Sequence, residues 1–383
     1  MDPLDGACVQ LVLAQRCRMS FLLPLLLLQA TVTQTPPLTP AIRTASPAPT
    51  WPARDAQFMI RRFRFRSGEM LPELRINYTL LGQPHRNARG EIDNAVMVLH
   101  GTGGTGRQFL SPQFADELYG PGQPLDITRY WIILPDGIGH GKSSKPSDGL
   151  HMRFPHYDYD DMVDAQFRLL RDGLGIRRMR MIMGTSMGCM HSLVWGETHP
   201  DFARALMPLA CEPVEIAGLN RMWRKLAIDG IQADPAWAGG EYRLPPVQGL
   251  RTAASLLFVA GGAPLYFQAQ YPRRDDSDAF AGQRVAAAIA GTDANDLIYQ
   301  LDASRNYDPW PRLEAITAPT TWVNSADDFI NPRNLDYPQR AVARMKAARF
   351  RLIPESADTR GHGTHTAARF WKQDLVDLLQ RTE

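Results

Sequence analysis

Apolar and polar residues follow two rhythms along this chain. Over residues 58–66 and 74–81 they alternate about a turn containing Ser67-Gly68, as in an antiparallel hairpin with one wet face. Beyond the hairpin the alternation gives way to unbroken apolar runs at 95–99, 130–134, 179–183, 205–209, 320–324 and 350–353, with helical stretches between them. Strands apolar on both faces, separated by helices, predict a mostly parallel central sheet flanked by helices. The interval between 209 and 320 breaks the rhythm. It carries helical patterns at 219–228 and 278–289, with Trp223, Trp237 and Tyr242 among them. We read about 216–311 as a helical cap inserted between the sixth and seventh core strands, over the end of the sheet where loops carry function.

The N-terminus belongs to neither rhythm. Residues 21–28 are apolar apart from Pro24, and Arg16 and Arg18 precede them. That run is too short for a bilayer, which takes roughly 20 residues. It has the length of a signal-peptide core. Residues 1–30 are therefore expected to be a signal peptide, with Ala30 the nearest small residue for cleavage and Met19 an alternative start. The protein is then expected to be periplasmic or secreted, or cytoplasmic if the leader is not a signal. Residues 31–55, rich in Pro and Thr, read as an extended tether, and 56–383 as the folded domain.

Composition removes several function classes. The 383 residues are 44% hydrophobic and 21% charged with a net charge of +2, which gives no argument for nucleic acid or an acidic partner. Arg61, Arg62, Arg64 and Arg66 interleave with Phe63 and Phe65 as the wet face of a strand, not a nucleic-acid patch. No Cys/His spacing fits a metal site and no H-E-x-x-H occurs. Of four cysteines, Cys8 and Cys17 lie in the leader. Cys189 and Cys211 are expected to be buried free thiols, since two cysteines make no disulfide framework.

The chemistry concentrates at Gly184-Thr185-Ser186-Met187-Gly188, between an apolar strand and a helical stretch. Small residues flank the serine because a strand-to-helix turn this sharp leaves no room for side chains. Upstream, the strand 95–99 runs into His100-Gly101-Thr102-Gly103-Gly104. Downstream, Asp327 and Asp328 follow another strand, and His362 lies in Arg360-Gly361-His362-Gly363-Thr364-His365. The order Ser, Asp, His is that of α/β-hydrolases. In that fold Ser186 would be the nucleophile and His362 its base, with His365 as the rival. Asp327 would orient the imidazole, with Asp328 as the alternative. The backbone N–H groups of Met187 and Thr102 would form the oxyanion hole, each worth ~3 kcal/mol in the transition state. Asp136-Gly137-Ile138-Gly139-His140-Gly141-Lys142-Ser143 nearly spells a phosphate loop, but Asp136 stands where the first glycine is required, so a turn is expected. The remaining histidines, His140, His151, His156, His191 and His199, have no evident partners and read as surface or structural.

Several segments resemble the homoserine O-acetyltransferase branch of the α/β-hydrolases. Leu118 to Asp126 is similar to its segment before the second core strand, and Gly184 to Met190 to its elbow. Ala227-Ile228, Asp234-Pro235-Ala236-Trp237, Gly239-Gly240-Glu241-Tyr242 and Asp293-Ala294-Asn295-Asp296 are similar to its cap. The chain departs at Thr185 and Cys189, where the branch has glycine, and at Lys225-Leu226, where an arginine is expected. The resemblance implies an acyl group passed from a donor onto Ser186 and then to an acceptor. It also implies a cap arginine that holds an acceptor carboxylate, for which Arg224 is the candidate beside Arg221. It implies no cofactor and a small-molecule ester or acyl donor, and it allows a homodimer. Because acetyl-CoA is cytoplasmic, an exported member is expected to hydrolyse a small carboxylic ester. The alternative is homoserine O-acetyltransferase or a related acyltransferase.

Overall fold

The computed structural model describes residues 51–383. The expected signal peptide, Cys8, Cys17 and tether residues 31–50 lie outside the described residues. The strands are β1 (Arg54–Arg64), β2 (Met70–Leu81), β3 (Ala95–Leu99), β4 (Trp131–Pro135), β5 (Met181–Thr185), β6 (Leu206–Leu209), β7 (Thr320–Ser325) and β8 (Ala348–Ile353). They form one sheet in the order β1-β2-β4-β3-β5-β6-β7-β8. Only β1 with β2 and β2 with β4 pair antiparallel. Every later pair, from β4 with β3 to β7 with β8, is parallel. The tether stops short of its expected end: β1 starts at Arg54, and the Trp51 indole donates to Asp116 Oδ1 at 3.0 Å.

The helices are α1 (Pro112–Leu118), α2 (Tyr159–Arg168), α3 (Met187–Thr198), α4 (Gly218–Gln232), α5 (Val247–Ala260), α6 (Pro264–Gln270), α7 (Arg274–Ala290), α8 (Ala294–Asp302), α9 (Tyr337–Val342) and α10 (Lys372–Gln380). Both faces of the sheet are packed, which is why its strands read as unbroken apolar runs. Met97 and Leu99 pack on one side with Ile133, Ile182 and Trp322 beneath Trp195 of α3. Val96 and Val98 pack on the other with Ile132, Met183 and Val323 beneath Phe114 of α1 and Trp371. The period of two sends neighbours along one strand into opposite cores.

Helices α4 to α8 fill the interval between β6 and β7 and carry an apolar cluster of their own, built on Trp223, Ala227, Ile231, Leu250, Leu297 and Leu301. Helices α5 and α6 meet at a bend of 100°. Among the described residues no single helix is long and apolar enough to cross a membrane.

One expectation is overturned. Cys189 and Cys211 are joined in a disulfide, with Cα atoms 5.8 Å apart. Cys189 lies in the first turn of α3 and Cys211 just past β6. Parallel pairing of β5 with β6 brings these two positions together, a neighbourhood that their separation of 22 residues does not reveal.

Candidate active site

The site is assembled at the ends of β3, β5, β6 and β7 and on the loop after β8. Ser186 sits at the apex between β5 and α3 with φ 56° and ψ −113°, a conformation that costs a non-glycine residue free energy. The fold enforces it through crowding. A Cβ on Gly184 would come within 2.1 Å of the Gly188 carbonyl, and one on Gly188 within 2.1 Å of the Leu99 carbonyl. Gly101 lies against the serine itself, where a Cβ would stand 3.2 Å from Ser186 Cβ. The Ser186 N–H donates to the Leu209 carbonyl at 2.8 Å, which ties the apex to β6.

The His362 imidazole lies between the serine and a carboxylate. Ser186 Oγ is 2.8 Å from Nε2, and Asp328 Oδ2 is 2.8 Å from Nδ1. Because the carboxylate can only accept, Nδ1 carries the proton and Nε2 is left to accept from the hydroxyl. Here the sequence expectation of Asp327 is corrected: the side chain that meets the imidazole is that of Asp328. The turn after β7 decides it. Asp328 folds under this turn, Oδ1 accepting from the N–H groups of Ile330 (2.9 Å) and Asn331 (3.2 Å), which aims Oδ2 at the ring. Asp327 faces the other way, accepting from the Ser325 hydroxyl and from the Gly361 N–H at 2.9 Å. It anchors the histidine loop by the backbone.

Asp328 is 2% exposed. Burial raises its pKa, but His362 and the Asn331 donors outweigh burial and hold the carboxyl below its usual range. His365, the rival base, is edge-on to His362 with ring centres 5.0 Å apart, and the hydrogen bond to the serine is made by His362. Burial and then the neighbouring His362 push its pKa down to about 3.

The two residues expected to supply oxyanion donors both lie near Ser186: Met187 follows it in the chain, and Thr102 follows Gly101, which packs against it. Met187 opens α3, so its N–H has no partner within the helix. Thr102 lines a cavity of about 430 Å³ together with Gly101, Ser186 and His362. Its loop is pinned from behind by His100, which the sequence did not flag: Nδ1–H donates to the Gly101 carbonyl at 2.9 Å and Nε2 accepts from the Gly137 N–H at 2.9 Å. Burial lowers the His100 pKa, consistent with a neutral ring in both roles. The segment Asp136 to Ser143 is a turn, as expected. The Asp136 carboxylate accepts from the N–H groups of Gly106 and Lys142 and so braces the same loop.

Arg224 lies in the insertion and is 3% exposed. Its Nε donates to Asn220 Oδ1 at 2.9 Å, its guanidinium covers the Trp223 ring at 4.7 Å, and its Nη1 is buried without a partner. Burial lowers its pKa, and nearby Tyr159 opposes the shift. The Tyr159 hydroxyl lies among Arg224, Ser304 and Thr102, and neither it nor the Thr102 hydroxyl has a partner in hydrogen-bonding geometry. Sequence reasoning missed Tyr159 and also Glu212, just past β6. Glu212 is 7% exposed with an unpartnered Oε2, and burial followed by the Asp328 charge pushes its pKa up to about 8.

A serine, an imidazole and a buried carboxylate in hydrogen-bonded series are the arrangement that nucleophilic acyl transfer uses. The comparisons agree with that class. The α/β hydrolase fold family matches residues 94–358. The chain belongs to this family, in its homoserine O-acetyltransferase-like branch. A probable acyltransferase of Methanothermobacter thermautotrophicus is 30% identical over 73% of this chain and 84% of its own. A homoserine O-acetyltransferase of Thermobifida fusca is 32% identical over 57% of this chain and 62% of its own length. Among solved structures, an acetylester hydrolase of Corynebacterium glutamicum superposes with a TM-score of 0.75, covering 85% of this chain and 96% of that one at 21% identity, a likeness of fold.

Proposed function

We propose that the protein transfers an acyl group from a small carboxylic ester to Ser186 and then to water. The observation that carries the reading is the unbroken series Ser186–His362–Asp328, with both contacts at 2.8 Å. His362 takes the hydroxyl proton as Oγ attacks the ester carbonyl. It returns that proton to the departing alkoxide, then activates water against the acyl-enzyme. Asp328 holds the imidazole and offsets its charge while it is protonated. Met187 and Thr102 N–H groups stabilise the oxyanion. The Cys189–Cys211 disulfide supports an exported protein, since such bonds persist in oxidising compartments, and export removes the enzyme from acetyl-CoA.

A second reading, acyl transfer to a carboxylate-bearing acceptor such as homoserine, is favoured by Arg224. A buried guanidinium without a carboxylate partner is costly unless a ligand supplies one. Relatives in this branch include proteins named homoserine O-acetyltransferase, which fits. The test follows alcohol release from short p-nitrophenyl esters and free CoA from acetyl-CoA, each with and without L-homoserine. Ester turnover without homoserine-dependent CoA release supports the hydrolase. Homoserine-dependent release well above the water rate replaces it with the transferase.

A further inference from the structure

A second arginine contacts the lining of the Ser186 cavity from outside it. Arg360 is two residues before His362, and its Nη1 donates to Gln113 Oε1 at 2.6 Å. Gln113 in turn donates through Nε2 to the Thr366 hydroxyl at 3.0 Å. Gln113 and Thr366 both line the cavity that holds Ser186 and His362. The guanidinium is also steadied on its face by Tyr266 of α6, 5.5 Å from the ring centre. Its Nε is buried without a hydrogen-bond partner, and no carboxylate pairs with it among the described residues.

This arrangement is unlike an ordinary surface arginine. Gln113 offers a neutral oxygen to one of five N–H donors, and the ring face supplies only a weak electrostatic contact. The charge is held in place by two elements, α1 and α6, yet nothing neutralises it. A guanidinium fixed in this way recognises carboxylate or phosphate at little further entropic cost.

The cavity also has a side. None of its lining residues comes from the insertion that carries Arg224, which sits instead among Tyr159, Asn220 and Trp223. In an acyl-enzyme the acyl group stays while the alcohol leaves and the acceptor arrives. Arg224 is placed for the acceptor or the leaving alcohol. The cavity whose lining Arg360 contacts through Gln113 opens at Ser186 away from Arg224, and on this inference it holds the acyl group. Resting on the serine reading above, we infer that Arg360 recognises an anionic group at the far end of the acyl chain, so that the preferred substrates are half-esters of dicarboxylic acids.

The experiment compares kcat/KM for phenyl hemisuccinate against phenyl butyrate, two acyl chains of like length with and without the charge. A second pair, para-acetoxybenzoate against para-acetoxybenzamide, places the same charge on the alcohol. Wild type, Arg360→Gln and Arg360→Lys are each measured, with circular dichroism to check folding. The wild type should favour hemisuccinate over butyrate roughly tenfold, the value of one charged hydrogen bond. Arg360→Gln should bring that ratio to near one, and Arg360→Lys should restore part of it. A charge preference confined to the second pair would overturn the acyl assignment. No preference in either pair, or one that survives in Arg360→Gln, would overturn the role of Arg360 while leaving the serine reading intact. Failure of the wild type to turn over any of the four esters would instead sink the serine reading.

Discussion

Residue by residue, the site turns on which of two adjacent carboxylates faces the imidazole. Asp328→Asn keeps the shape of the side chain and removes its charge. It should lower kcat for ester hydrolysis on the order of 10³–10⁴-fold. Asp327→Asn weakens only a backbone anchor and should cost under about tenfold. Ester turnover of the two variants side by side checks this. The sequence presents Asp327 and Asp328 as equivalent neighbours past a strand. The choice rests on a turn whose N–H groups, from Ile330 and Asn331, capture one of them. His362 was legible because it stands between glycines just past the last strand. Glu212 was not, because its burial depends on the packing around the end of β6. It makes a separate prediction. Its pKa rises from 4.5 in an exposed chain to about 8 in the fold, so between those values the unfolded state holds fewer protons than the native one. Stability from this group is therefore present below pH 4.5 and lost as pH climbs towards 8. Glu212→Gln should leave the melting temperature little changed near pH 4 and raise stability at pH 8 by on the order of 2 kcal/mol.

At the scale of elements, the strand–serine–helix unit is clamped on three sides. Leu99 of β3 presses on Gly188, Leu209 of β6 accepts from Ser186 N–H, and the disulfide ties α3 to the segment after β6. Replacing both cysteines by serine should lower stability by roughly 2–4 kcal/mol. Denaturant titration measures that loss, and mass spectrometry without reductant should show the pair oxidised in the wild type. Most elements were legible because strands buried on both faces leave unbroken apolar runs, as in β3 at 95–99. The disulfide was not, since it depends on which strands lie side by side. Three-dimensional adjacency also placed Tyr159, from the start of α2, beside Thr102 of a loop far earlier in the chain.

For the whole molecule, on the proposed reading, the sheet supplies the nucleophile and the insertion supplies, through Arg224, the contact to a carboxylate on the acceptor or leaving alcohol. Arg224→Met keeps the bulk and removes a buried, unpaired charge. The variant should be more stable than the wild type, because that charge is costly without a ligand. Under the transferase reading it should also raise KM for a carboxylate-bearing acceptor by about tenfold or more. Thermal unfolding and acceptor-dependent CoA release read these two effects independently. A loss of stability in Arg224→Met with KM unchanged would mean that the arginine holds the insertion together and has no ligand role.

On the proposed mechanism an acyl group resides on Ser186 between two half-reactions. Rapid quenching of the protein with p-nitrophenyl acetate, followed by peptide mass spectrometry, tests it most directly. One acetyl group should be found on the peptide carrying Ser186. The label should be absent in Ser186→Ala and should accumulate in Asp328→Asn if the second half-reaction is slowed more than the first. Acetyl release at the wild-type rate by Ser186→Ala, with no label on that peptide in the wild type, would exclude Ser186 as the acyl carrier.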